Sequence, residues 1–315
     1  MTSSTRTLPG FLLLVLLIPA CRSLPATVTS STHPPGTTTA SGPILVGAGD
    51  VADCDSQGDE ATAALLDVAL SQAEEGVVFV AGDAAYPDGT EQQFADCYHP
   101  SWGRHKERTR PAVGNHEYHT PDAKGYFGYF GDAAGPAGAG YYSYDLGAWH
   151  VVVLNSNCEA IGGCQAGSDQ ESWLRADLAA HPAACTVAYW HHPLFTSGTT
   201  HGGTSDVQPF WQALYEHGAE VVINGHEHNY ERFAPQDPMG NADPEGIRQF
   251  VAGTGGGSLY HLGPPAPHSE MGWTDGVGVL KLTLHPRSYT WEFISYEREF
   301  SGEGSLHDSG TEQCH

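Results

Sequence analysis

The chain has 315 residues, 40% apolar and 16% charged, enough to bury a sizeable core. This excludes a miniprotein held only by disulfides and a largely disordered chain. Thirteen Lys and Arg face 37 Asp and Glu, a net charge of −24, which is the wrong sign for binding duplex nucleic acid or an anionic membrane by charge. An anionic substrate would then need another source of attraction, and a metal cation held by some of the 18 histidines would supply it.

From the N-terminus, Arg6 precedes the apolar run Phe11–Ile18. The run is shorter than the about 20 residues of a membrane span and fits the core of an export signal over residues 1–21. Ile18-Pro19-Ala20-Cys21 resembles a bacterial lipobox. The chain is expected to be either lipidated at Cys21 or cleaved near Ala26, and so exported, secreted or anchored on the outer face of the cell membrane. Residues 22–43 read as a disordered Ser/Thr/Pro linker. Residues 44–315 read as one domain.

Apolar runs predict strands at Ile44–Ala48, Val77–Ala81, His150–Asn155, Thr186–Trp190, Glu220–Ile223, Gln249–Ala252, Gly278–Leu284 and Ser288–Ile294. Helical periodicity covers Glu60–Glu75, Gln170–Ala180 and Val207–His217, with Asp59 and Asp169 as N-caps and Asp206 as a further cap. Alternating strands and helices make this an α/β fold, with antiparallel pairing among the last strands. Gly253–Gly257 reads as a flexible rim loop, and Gly125–Gly140 as a substrate-side loop or an irregular connection. Setting Cys21 aside leaves six cysteines, an even number that suits three disulfides in an exported chain. Many pairings are open, and the expected set is Cys54–Cys97, Cys158–Cys164 and Cys185–Cys314.

Five apolar strands end in a tight turn followed by metal-type side chains. These ends are Gly49-Asp50, Gly82-Asp83-Ala84-Ala85-Tyr86, Gly114-Asn115-His116-Glu117, His191-His192-Pro193 and Gly225-His226-Glu227-His228. Each alone has an ordinary explanation as a turn, a cap or a core histidine. His226 and His228 are stronger together, because alternate side chains of an extended segment share a face. Five ends at one sheet edge would gather carboxylates, a phenol, an amide oxygen and imidazoles, a donor set for two Fe, Zn or Mn ions.

In this order the five motifs resemble those of the calcineurin-like metallophosphoesterases. Tyr86 and the run Gly225-His226-Glu227-His228-Asn229-Tyr230-Glu231-Arg232 are similar to the purple acid phosphatase type. The likeness spans about residues 44–296. It implies a four-layer α/β/β/α sandwich with mixed sheets. It implies that Asp50, Asp83, Tyr86 and His228 hold one metal, and that Asp83 bridges to a second held by Asn115, His191 and His226. His191 rather than His192 is the expected ligand, because the family ligand stands two before the proline. Ala52 departs from the family's usual glycine and puts the local turn in question.

The resemblance further implies His116 as the acid that protonates the leaving group, and His201 as a substrate contact. Glu117, His192, Glu231 and Arg232 would support the ligands from behind. The metals would be Fe with Zn, Mn or a second Fe, and the substrate a small phosphate ester attacked by a water activated between them. Monoester hydrolysis is the leading reading. A phosphodiesterase acting on nucleotides or glycerophosphodiesters is the second, and a non-catalytic metal-binding surface lipoprotein the third. No nucleic-acid partner is expected, and membrane contact only through Cys21. Weak retention on immobilised duplex DNA at low salt is therefore expected; tight retention would contradict the charge argument.

Overall fold

Alternation along the central strands decides the architecture. In β1 (Ile44–Ala48), Ile44, Val46 and Ala48 enter one core while Leu45 enters another. In β2 (Gly76–Ala81), Val78 and Val80 separate in the same way from Phe79 and Ala81. β5 (Trp149–Val153), β6 (Cys185–Tyr189) and β7 (Val221–Asn224) also alternate, sending Val151, Val187 and Val221 to the shared core and Val152, Ala188 and Val222 to a third. A strand with both faces apolar must be covered on both sides. The result is four layers, with two sheets face to face over the shared core and helices outside each. This computed structural model describes residues 42–296 and 307–315. The export signal, Cys21 and most of the linker lie outside the described residues.

The first sheet has the order β13-β12-β11-β1-β2-β3. It adds β3 (Thr109–Ala112), β11 (Gly278–His285), β12 (Ser288–Ser295) and β13 (His307–Gln313). The second has the order β10-β8-β9-β7-β6-β5-β4. It adds β4 (Tyr142–Leu146), β8 (Tyr230–Phe233), β9 (Arg248–Ala252) and β10 (Ser269–Trp273). β1, β2 and β3 are parallel, as are β5, β6, β7 and β9. The late strands pair antiparallel. Helix α1 (Gly58–Ser71) covers the first sheet through Leu65, Leu66 and Leu70. Short helices α2 (Glu91–Gln93) and α3 (Lys124–Phe130) lie in the connections, so the Gly125–Gly140 segment is partly helical. Helices α4 (Asp169–Ala180) and α5 (Gln208–Glu216) cover the second sheet through Leu174, Leu178, Phe210, Trp211 and Leu214.

The two sheets meet at the carboxyl ends of their parallel strands. The Gly49 N–H donates to the Ala252 carbonyl (2.8 Å), joining the end of β1 to the end of β9. A Cβ on Gly225 would stand 2.7 Å from the Ala81 oxygen, so only glycine lets the β7 end cross the β2 end. Ala52 fits its turn after all: it bridges Ala85, and its carbonyl accepts the Tyr86 N–H at 2.8 Å.

All three expected disulfides form: Cys54–Cys97, Cys158–Cys164 and Cys185–Cys314. The capping expectations need correction. Ser168 caps α4 by accepting from the Glu171 N–H, and Asp169 is already helical. Asp206 sits inside a 3₁₀ turn, Ser205–Val207, and caps nothing. Asp59 lies within α1 and turns its carboxylate to the Ser101 hydroxyl in the interior. Among the described residues no helix is long and apolar enough to cross a membrane.

Burial pushes the Asp59 carboxyl up to about 7, against the Ser101 hydrogen bond that lowers it. The native chain keeps this proton where the unfolded chain has lost it. Stability from this group is therefore complete below about pH 4 and is lost as pH rises toward about 7. Asp59→Asn removes the titration. The melting temperature of the variant relative to wild type should rise between pH 4.5 and 8 on the order of a few degrees; a constant difference would refute the assignment.

Candidate metal centre

The strand ends gather seven donors in one place. Asp50, Asp83 and His226 each sit at positive φ, 61°, 51° and 71°. That conformation is uncommon for residues with a side chain, and it persists only where surrounding bonds fix it. Here they do. The Asp50 N–H donates to the Gly82 carbonyl (3.0 Å), the His226 N–H to Asp50 Oδ2 (2.8 Å) and the His116 N–H to Asp83 Oδ1 (2.9 Å). Each carboxylate thus spends one oxygen on backbone and keeps the other for the centre.

Those remaining oxygens organise two donor sets. Asp50 Oδ1 lies 2.8 Å from the Tyr86 hydroxyl and 3.2 Å from His228 Nε2, and Tyr86 lies 3.0 Å from that same nitrogen. His191 Nε2 lies 3.0 Å from Asn115 Oδ1 and 3.1 Å from His226 Nδ1. Asp83 Oδ2 stands between them, 3.2 Å from the Tyr86 hydroxyl and 3.2 Å from His191 Nε2. The imidazoles are aimed from behind. His191 Nδ1–H donates to the Ala81 carbonyl (2.8 Å), and His228 Nδ1–H to the Ser258 carbonyl. A carbonyl can only accept, so in each ring Nε2 is the free donor atom facing the centre.

The electrostatics are those of a crowded buried site. Burial raises the Asp83 carboxyl, but the His191 and His116 imidazoles outweigh it and hold Asp83 below its ordinary range. Burial and the Asp50 and Asp83 charges push the Tyr86 hydroxyl well above its ordinary value. Cations reverse that preference and favour the anionic ligand forms. Burial and the neighbouring His191 push His192 down to about 3, so it is a neutral imidazole. The donor set fits two cations: carboxylates, a phenol, an amide oxygen and imidazoles, with one carboxylate oxygen facing both groups.

The other expected residues divide. His116 Nδ1–H donates to the Pro87 carbonyl (2.5 Å), leaving Nε2 toward the centre at 3.8 Å from Asp83 Oδ2. His201 stacks on His226 with ring centroids 4.2 Å apart. His192 is bonded to Ser156 Oγ (2.7 Å), and its ring is 4.3 Å from His226. Glu117, fully buried, accepts from the N–H groups of Asp83 (3.1 Å), Ala84 (2.8 Å) and Gly114 (2.8 Å), clamping the β2 and β3 ends together.

Glu231 and Arg232 do not support His228 as expected. Glu231 accepts from the Ser197 N–H (2.7 Å) and the Ser269 hydroxyl (2.6 Å), fixing the loop before His201. Arg232 is taken by Asp308 (2.6 Å) and Glu270 and lies over the Trp291 ring, which links β8 to β13 and β10. Adjacent in β8, the two side chains face opposite sides of the sheet and are each claimed by partners other than His228.

Three features lay beyond the local sequence signal. Tyr260 stacks on His228 with centroids 4.0 Å apart. Glu227, also fully buried, accepts from the N–H groups of His201 and Gly202 (2.6 Å each), tying the His201 loop to the β7 end. The Gly253–Gly257 run is a buried floor rather than a flexible rim. Its Gly255 and Gly257 N–H groups donate to the Gly49 and Asp50 carbonyls (2.9 Å each). A Cβ at Gly253 would meet Asp50 Oδ2 at 2.7 Å, so the absence of side chains serves close packing.

The calcineurin-like phosphoesterase family profile matches residues 25–230. The chain belongs to the calcineurin-like phosphoesterase family. Its likeness within that family is to the purple acid phosphatase type. Purple acid phosphatase 21 of Arabidopsis thaliana is 30% identical over 236 residues, covering 66% of this chain and 53% of its own length. Acid phosphatase A of Cryphonectria parasitica is 26% identical over 199 residues, covering 54% of this chain and 38% of its own length. The chain thus spans about half the length, or less, of these relatives. Among solved structures, purple acid phosphatase PPD1 of yellow lupin superposes with TM-score 0.65 at 20% identity, covering 86% of this chain and 54% of its own. GAP50, the anchor in the inner membrane complex of Plasmodium, superposes at 0.62 with 13% identity, covering 87% and 90%. Both share the fold.

In this member of the family the Glu117 clamp generates a prediction. Glu117→Gln keeps the volume but turns an NH₂ against backbone N–H groups. The variant should stay folded and release metal about 10- to 100-fold more readily in a chelator competition; unchanged retention would remove the clamp from the account.

Proposed function

We propose that the chain is an exported phosphoesterase that binds two metal ions and hydrolyses small phosphate monoesters. The observation that carries this reading is Asp83 Oδ2, equidistant at 3.2 Å from a donor of each set. Asp50, Tyr86 and His228 would hold one ion, Asn115, His191 and His226 the other, and Asp83 both. Two bound cations supply charge that polarises phosphoryl oxygens and activates water for in-line attack. The phenol among the ligands favours Fe at the first position, with Zn, Mn or a second Fe at the other.

The chain's own residues do the rest. His116, with Nδ1 fixed by Pro87, offers Nε2 as the site of the proton given to the leaving oxygen. His201 and Tyr260, with rings 5.5 Å apart above His226 and His228, wall the position a phosphate would take. A cavity of about 500 Å³ beside Asn115 and His192, lined also by Tyr118, Ser156 and Asp206, gives room for a small leaving group. Three disulfides support export to an oxidising compartment, in keeping with the signal read at residues 1–21. Attachment through Cys21 would be the route to a membrane.

The test is turnover of a chromogenic phosphate monoester and its matching diester by protein lacking residues 1–21, beside Asp83→Ala. The proposal expects monoester preference, with at least about a 100-fold loss in the variant together with lost metal. Diester preference would make the same site a phosphodiesterase. Two metals bound without turnover of either ester would favour a binding protein.

A further inference from the structure

We propose that His150, Asp177 and His181 form a separate site for one divalent cation of the Zn²⁺ class. Their ligand atoms all lie within 4.8 Å of one another. His150 Nε2 is 2.8 Å from Asp177 Oδ2, and His181 Nδ1 is 3.2 Å from Asp177 Oδ1. His150 is the second residue of β5, whereas Ser156, three residues past its other end, touches His192 of the candidate centre. The two lie six residues apart along and beyond β5, on the order of 20 Å for extended chain.

The surroundings are arranged as a metal site would be. His150 Nδ1 is held by the Asp145 carboxylate (3.1 Å), which fixes the ring and leaves Nε2 for a cation. The Ser143 hydroxyl donates to Asp177 Oδ1 (2.8 Å) and sets that carboxylate. His150 and Asp177 are 1% and 9% exposed, so two of the three donors are preorganised on rigid elements. His181 is the movable one: its side chain is 49% exposed, and its Nδ1–H donates to the Asp177 carbonyl (2.9 Å). Turning it by a rotamer brings the nitrogen to the cation. A cavity of about 250 Å³ lined by Asp145, Trp149, His181 and Pro182 opens beside it and leaves space for water in a fourth position.

Two imidazoles and one carboxylate suit Zn²⁺ better than Ca²⁺ or Mg²⁺. The cation replaces the protons that His150 and His181 share with Asp177, and these leave to solvent. Bound there, it would staple the β4–β5 hairpin to the end of α4.

The experiment counts zinc. Wild-type protein and His181→Ala are equilibrated against micromolar free Zn²⁺, and the metal per chain is measured. Wild type should hold one equivalent more than the variant, whatever number the strand-end centre retains, and the two should turn over monoester at the same rate. Equal counts would overturn the site. A second readout needs no variant: acylation of His181 by diethyl pyrocarbonate, mapped by mass spectrometry, should slow at least about tenfold with Zn²⁺. An unchanged acylation rate would equally overturn the site.

Discussion

Two sheets can deliver their strand ends to one spot only if their backbones can touch there. Gly49 and Gly225 meet that condition. Their backbones approach so closely that a Cβ on Gly49 would lie 3.1 Å from the Gly225 Cα. From this contact everything at the centre follows. It puts Asp50, from the first sheet, within hydrogen-bond reach of the His226 N–H, from the second. It brings Asp83 beside His191, again one from each sheet. The buried glycine run Gly253–Gly257 extends the same principle behind Asp50. A Cβ at Gly49, Gly225 or Gly253 would fall within 2.8 Å of an oxygen of a facing segment, so the close approach needs glycine at each.

Buried carboxylates then fix the loops that carry the chemistry. Glu117 holds the β2 and β3 ends, Glu227 the His201 loop, and Glu231 the segment just before it. Each accepts from backbone N–H groups that would otherwise be orphaned in a region of low dielectric. This gives the acidic composition a structural use besides its effect on partners. Part of the excess negative charge is spent inside, on frame bonds, and part on ligands whose charge cations would balance. Burial and the Asp83 charge push Glu117 up to about 7, so the frame itself is sensitive to what occupies the centre.

A centre built this way is asymmetric. On one side the phenol of Tyr86 and the carboxylate of Asp50 offer hard oxygens, and Tyr260 stacks on His228. On the other, His191, His226 and the neighbouring neutral His192 offer mainly nitrogen. The Cys158–Cys164 loop and the helix-side residues around Asp206 border the cavity that opens from the nitrogen-rich side.

Much of this was legible in the sequence because the signals are local. The continuous apolar run at Ile44–Ala48 and the helical periodicity at Gln208–Glu216 are each properties of a single segment. The cluster of candidate donors was legible because each stands within a few residues of a strand end, and strands of a parallel sheet end on one edge. Strands β4, β8, β10 and β13 were not legible, and of β3 only the end before Gly114 was, since pairing with neighbours rather than internal pattern makes them strands. β3, with Arg110 and Pro111 in its four residues, is held chiefly by β2. Arg232, Glu231, Tyr260 and the glycine run were misread or missed for the same reason. Their roles depend on partners tens of residues away, such as Asp308 for Arg232 and His228 for Tyr260. The sequence by itself determined which side chains could bind and on which strand ends they stand. Only the tertiary structure decided which oxygen of Asp83 faces both donor sets and which carboxylates act as frame, because those depend on distances between segments that no local pattern encodes.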